Sequence, residues 1–236
     1  PEMVFRGGRL VARDGQLLPD VGCAANVPIR GSMNVAPLGE GVFRVPATGS
    51  RLRVIGVVPG QIVTEKLMLP PKVEAGEAVA DVSRDLLKLA VVERHLSSGR
   101  VAVGFARGFG LRRGAIATSV AHDSHNVVAL GTNDADMLAA VRAIISLGGG
   151  LVAVADGQPV ATLPLPIAGL MSREPLETVT RQLEALLRAT QELGCPLRDP
   201  FMSLSFLALP VIPALKLTDR GLVDVTQFRF VPLFEP

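Results

Sequence analysis

Five consecutive residues, His122-Asp123-Ser124-His125-Asn126, concentrate the side chains that could do chemistry. They hold two of the chain's three histidines, with a carboxylate between them. Two neutral imidazoles and a carboxylate suit zinc, manganese or iron, and they can also move protons as general acid and base. The same residue types make an ordinary hydrogen-bonded turn, because Asp and Ser side chains bond to nearby backbone. Spacing alone favours the turn. His95 stands beside Glu93 and Arg94 and is a possible third member of the cluster. By itself it reads as a strand-end histidine paired to a carboxylate.

Two apolar runs, Ala115–Ala121 and Val127–Leu130, must position these residues, with Gly114 and Gly131 as punctuation. They predict a strand, a tight turn and a second strand. If Asp123 and Ser124 form the turn, His122 and His125 oppose each other directly, with their imidazoles side by side on one face. Upstream, Leu86–His95 reads as a buried strand and Val101–Phe105 as a short one. Downstream, Asn133 is an N-cap for a helix over 133–147, with Asp134 and Asp136 in its first turn and Gly148-Gly149-Gly150 at its end. A hairpin follows over 151–155 and 160–163 around Asp156-Gly157. A second helix over 173–193, capped by Ser172, carries a leucine stripe and stops at Gly194 and Pro196. The tail from Phe201 is apolar and broken by prolines, and strand-like again at 222–225. Asp199-Pro200 reads as a turn. This order predicts an α+β fold, with a hairpin-rich sheet and two main helices, rather than a strictly alternating parallel α/β fold.

Residues 4–18 read as three strands joined by a Gly-Gly turn and an Asp-Gly turn. From Pro19 to Gly41 the chain is irregular, with Val42–Val45 and Leu52–Val58 as later strands. Pro70-Pro71-Lys72 suggests a boundary. The expected division is therefore a strand segment over 1–65, lacking a core of its own, and an α+β domain over 72–236.

Composition narrows the function. The chain has 236 residues, 48% of them hydrophobic, and a net charge of +2. No basic run supports nucleic-acid binding. Mean hydropathy is +0.39, high enough to imply a large dry core or surface covered by something else. Cys23 and Cys195 lack ligand spacing and predict free thiols in a reducing, cytoplasmic setting. Pro210 and Pro213 interrupt the apolar run Phe201–Leu217, so it reads as core rather than a membrane span. Gly108-Phe109-Gly110 does not open a helix, which excludes a dinucleotide fingerprint. Ser119 and Ser124 lack a nucleophile-elbow setting. A start at Pro rather than Met reads as a processed product or a piece of a longer protein.

The run Gly108–Asn126 resembles a hallmark of the C-terminal domain of bacterial and archaeal adenine deaminases of the amidohydrolase superfamily. So do Glu93-Arg94-His95, Gly131-Thr132-Asn133-Asp134, the 149–166 hairpin, Asp199-Pro200-Phe201-Met202 and Leu207–Pro213. Residues 1–65 resemble the returning strands of the small β-sandwich, and the connector, that accompany such barrels. The resemblance implies hydrolysis of adenine to hypoxanthine and ammonia in purine salvage. It also implies a binuclear centre of Mn, Fe or Zn that activates water in a (β/α)8 barrel. No two histidines here are separated by one residue, so the barrel's His-x-His motif is absent. The metal ligands are therefore expected in a missing N-terminal barrel, and none is assigned in this chain. The expected partners are that barrel, adenine and further copies of the chain. His122, Asp123 and His125 are the expected catalytic residues, and Ser124, Asn126 and His95 the expected substrate contacts, facing the barrel or a subunit cleft. The isolated chain should be inactive. The alternative is a non-enzymatic assembly or ligand-binding module that lost its catalytic barrel.

Overall fold

Asp14-Gly15 and Asp156-Gly157 adopt left-handed backbone at both positions, with φ of 49° and 77°, and 53° and 74°. This is the two-residue hairpin geometry that matches strand twist, and it turns the chain where the sequence predicts. The computed structural model describes residues 1–18 and 31–235. Cys23 and the irregular stretch expected after Pro19 fall, over 19–30, outside the described residues. The chain divides into two units, Pro1–Arg30 and Gly31–Pro236.

In the first unit, β1 (Met3–Arg6), β2 (Arg9–Arg13) and β3 (Gln16–Leu17) form one antiparallel sheet. None of its described residues is buried, and Phe5 is 60% exposed. These strands close no core by themselves.

The second unit begins with β4 (Arg51–Val57), β5 (Thr64–Leu69) and the small hairpin β6 (Lys72–Glu74) and β7 (Glu77–Val79). Next come β8 (Leu86–Val92), β9 (Val101–Arg107), β10 (Ala115–Thr118), β11 (Val127–Gly131) and α1 (Asp134–Leu147). Then follow β12 (Gly150–Ala155), β13 (Gln158–Pro164), α2 (Leu176–Glu192) and α3 (Pro200–Phe206). The chain closes with β14 (Leu215–Thr218), β15 (Gly221–Asp224), β16 (Arg229–Phe230) and β17 (Phe234–Glu235). Nine strands make the main sheet, in the order β13-β12-β10-β11-β8-β9-β4-β17, with β5 also on β4. The β4–β9 pair is parallel and its other pairs are antiparallel. The fold is α+β.

Side-chain alternation sorts the core into two layers. Ala90, Ala117, Ala129 and Val152 face α1, where Met137, Val141 and Ile144 cover them. Leu89, Ile116, Val128 and Ala153 face the other way, onto Leu186 of α2 and Phe201 and Leu204 of α3. The two long helices thus cover opposite faces. With both faces dry, β8 is buried at every position, which explains its near-continuous apolar run. Asn133 caps α1 by accepting from the Asp136 N–H, and Gly148 ends it at φ 74°. Lys88 is buried beside this cap, and its ammonium donates to Asp134 at 2.7 Å and to the Phe43 carbonyl at 2.9 Å.

The structure divides after Arg30, and β4 and β5 are wired into the main sheet. Several expected elements are corrected. Residues 42–45 form no strand; Gly41, at φ 82°, turns the chain there. The second helix starts at Leu176, not 173. Ser172 does accept from the Glu174 N–H, but Pro175 occupies the cap without a side-chain bond. Asp199-Pro200 is no simple turn. Asp199 accepts from the Met202 N–H and Pro200 opens α3, the arrangement expected of a cap and a first-turn proline.

Candidate functional site

The two-residue turn at Asp123-Ser124 does not form. The β10–β11 ladder ends with Thr118 opposite Val128, and residues 119–126 make a longer loop. One local bond and several to distant residues explain the change. The Thr118 hydroxyl accepts from the Val120 N–H at 2.9 Å and curls the chain. Ser119 stays with β12, donating its N–H to the Gly150 carbonyl at 3.0 Å and accepting from the Gly150 N–H at 2.7 Å. Its hydroxyl also donates to the Gly169 carbonyl at 2.6 Å. His125 then takes a left-handed backbone, φ 49°, and its N–H donates to the Ala121 carbonyl.

The loop brings the described histidines together, though not as an opposed pair. The rings of His122 and His125 lie 6.3 Å apart and are tilted by 55°. His122 Nδ1 sits 3.1 Å from the Ser205 hydroxyl, and its ring packs at 4.6 Å on Phe206. His95 joins from the end of β8: its Nε2 lies 2.7 Å from the Ser124 carbonyl, so Nε2 carries the hydrogen and donates. The ring of His95 is thus partnered by a carbonyl, and it is the backbone N–H of His95 that meets the Glu93 carboxylate.

His125 differs from the others. Its Nδ1 is buried with no hydrogen-bond partner among the described residues. Burial lowers its pKa, and the positive charges of Arg94, His122 and His95 add to this against the opposing pull of Asp123. Its imidazole is therefore held neutral more firmly than an ordinary histidine.

The remaining expected site residues separate. Asp123 and Ser124 are exposed at the loop tip. Asn126 is buried and ties the loop down: its Oδ1 accepts from the Arg94 N–H at 3.3 Å, and its Nδ2 donates to Asp219 at 3.3 Å. Asp219 is in turn paired with Arg100 at 2.7 Å. Sequence reasoning missed Ser205 and Phe206 because it missed α3; the Asp199-Pro200 cap signal was there to be used. Phe206 also lines a cavity of about 360 Å³ with Ile62, Leu197, Asp199 and Met202, so His122 stands behind one wall of that groove.

These donors do not fit a binuclear metal centre. Among the described residues, no three His, Cys, Asp or Glu side chains come close enough to share an ion. His122 Nδ1 and His95 Nε2 already have protein partners.

Comparison with known proteins shows the family. The family model described as the adenine deaminase C-terminal domain matches residues 61–229. This chain belongs to that family. Relatives named adenine deaminase match this chain over nearly its whole length. The adenine deaminase of Methanothrix thermoacetophila is 52% identical over 98% of the chain, and that of Syntrophobacter fumaroxidans 52% over 100%. The protein of that name from Desulfatibacillum aliphaticivorans is 51% identical over 98%. The chain spans 41% of the length of each of these relatives. The family match begins after β4, yet β4 holds β5, β9 and β17. The folded unit is thus longer than the family model.

Glu93 anchors the turn over residues 95–98, and it provides a pH test. Burial pushes its carboxyl pKa up. Hydrogen bonds from the Ser98 hydroxyl and from the N–H groups of Ser98, Leu96 and His95 outweigh that and hold it at about 2. A folded-state pKa below the unfolded one gives stability that is complete above the unfolded value and is lost as pH falls through about 2. Glu93→Gln should therefore destabilise the chain at neutral pH by about 2 kcal/mol, the scale of hydrogen bonds to a charged group. Urea midpoints of the two proteins should converge between pH 4.5 and about 2. A gap independent of pH would show that the carboxylate charge does not carry this stability.

Proposed function

We propose that this chain is the C-terminal part of an adenine deaminase, which hydrolyses adenine to hypoxanthine and ammonia in purine salvage in the cytoplasm. One observation carries the reading: relatives named adenine deaminase are about half identical along nearly the whole chain, and they extend well beyond it. The water-activating metals, Mn, Fe or Zn, belong in this reading to an amidohydrolase barrel in the rest of the protein. The first unit is the return of that barrel's β-sandwich. Its three strands with Phe5 and Leu17 uncovered are in keeping with partners elsewhere.

The 119–126 loop is the part of this chain nearest the chemistry. Asp123 and Ser124 at its tip are free to meet a ligand. His122 and the neutral His125 supply polar contacts at the substrate entrance, with His122 fixed by Ser205 and Phe206. A neutral ring can accept a hydrogen bond from the exocyclic amine of adenine through its unprotonated nitrogen, or take up a proton as a general base.

Fusing this chain to the remainder of the Methanothrix protein and following hypoxanthine and ammonia tests the reading. In that fusion, His122→Ala should lower kcat/KM about tenfold, the worth of one well-placed hydrogen bond, with the fold retained and Tm lowered only by the lost Ser205 and Phe206 contacts. Wild-type kinetics in the variant would return His122 to a purely architectural role.

A further inference from the structure

Arg94 is among the largest fully buried side chains of the described residues, at 2% exposure, and no described carboxylate neutralises it. Its neighbour Glu93 points its carboxylate the other way, into the 95–98 turn. The guanidinium is instead ringed by backbone. Nε donates to the His125 carbonyl. Nη1 donates to the Ser32 carbonyl at 3.0 Å, and Nη2 to the Ala168 carbonyl at 2.9 Å. The residue's own N–H and carbonyl are taken by Asn126 and Asn34. Gly169 is fitted to it: at φ 72°, a Cβ there would lie 2.9–3.0 Å from the guanidinium atoms.

A buried cation without a counter-charge is unfavourable, and an apolar side chain would fill the same space at less expense. Two things require a guanidinium here. It donates in three directions at once, to segments far apart in sequence. It also places a fixed positive charge beside His125.

We propose that Arg94 is the positioning residue of the His122–His125 loop: it clamps the loop through the His125 carbonyl against the 32–34 and 167–169 segments. The inference rests on the reading of that loop as part of the deaminase site. Through this clamp the His122 ring keeps its seat on α3 and the His125 ring stays neutral. The charged and titratable groups around His125 are Arg94, His122, Asp123 and His95.

The test uses Arg94→Lys, which keeps the charge but loses the fork, and Arg94→Met, which keeps the bulk but loses the charge. In the whole 236-residue chain, amide exchange over 119–126 should rise about tenfold or more in Arg94→Lys, while α1 and β8 keep their protection. In Arg94→Met, the NMR titration of His125 should move up towards the ordinary histidine value, because one positive neighbour is gone. Unchanged loop protection in Arg94→Lys, an unmoved His125 midpoint in Arg94→Met, or uniform loss of protection in both variants would overturn the proposal. In the fusion, Arg94→Lys should lower kcat about tenfold with KM within about twofold, since it misplaces groups rather than removing them. A freed loop with unaltered turnover would leave the clamp standing and would instead overturn the placement of the loop in the site.

Discussion

Gly149→Ala is expected to lower the stability of the Gly31–Pro236 unit by about 2–5 kcal/mol. Gly149 has φ 116°, a conformation that L side chains rarely adopt. An L-residue in left-handed backbone costs about 1–2 kcal/mol. The added Cβ would lie 2.3 Å from the Gly169 Cα and 3.0 Å from the Leu165 carbonyl. Both are backbone atoms, so no side chain can swing aside, and overpacking of this kind costs a further 1–3 kcal/mol or about that. Such a loss is a large fraction of a typical domain's stability. Gly157→Ala is the control. Gly157 also has a positive φ, 74°, but a Cβ there meets nothing within 4 Å. It should cost only about 1 kcal/mol. Urea midpoints at constant slope measure both. Equal effects would mean that the 149–150 and 165–169 segments are not packed as closely as described. The site should respond too, because the new methyl would press on the Ser119 hydroxyl, 3.1 Å away, at the root of the histidine loop.

Sequence reasoning reached the elements whose cause is local. The Asp-Gly hairpins follow from left-handed turn residues, and α1 follows from Asn133 in front and Gly148 behind. The α+β class followed from their order. What it could not reach depends on distant partners. The loop after β10 departs from a tight hairpin because Ser119 bonds to Gly150 and Gly169, and because Arg94 grips His125. Pro70-Pro71 looks like a linker in the sequence, while the pairing of β4 with β9 across it spans about half a hundred residues and has no local signal. His122, His125 and His95 were legible as a group from their types. Their actual neighbours, Ser205 and the Ser124 carbonyl, needed α3 and the bent loop to exist first.

The second large effect concerns turnover by the chain alone. It spans 41% of relatives named adenine deaminase, and the proposed chemistry resides in the portion it lacks. The contribution proposed for this chain is a histidine loop whose rings are engaged with Ser205, Phe206 and the Ser124 carbonyl. Positioned side chains of this kind adjust a reaction by factors of about a hundred to ten thousand and cannot supply the whole acceleration of an enzyme. The most direct measurement is an adenine assay, reading hypoxanthine and ammonia, on the purified chain by itself and on the same chain fused behind the missing portion of the Methanothrix relative. The account predicts no rate above the uncatalysed background for the chain alone and clear turnover for the fusion. Robust deamination by the chain alone, or none by a folded fusion, would contradict it.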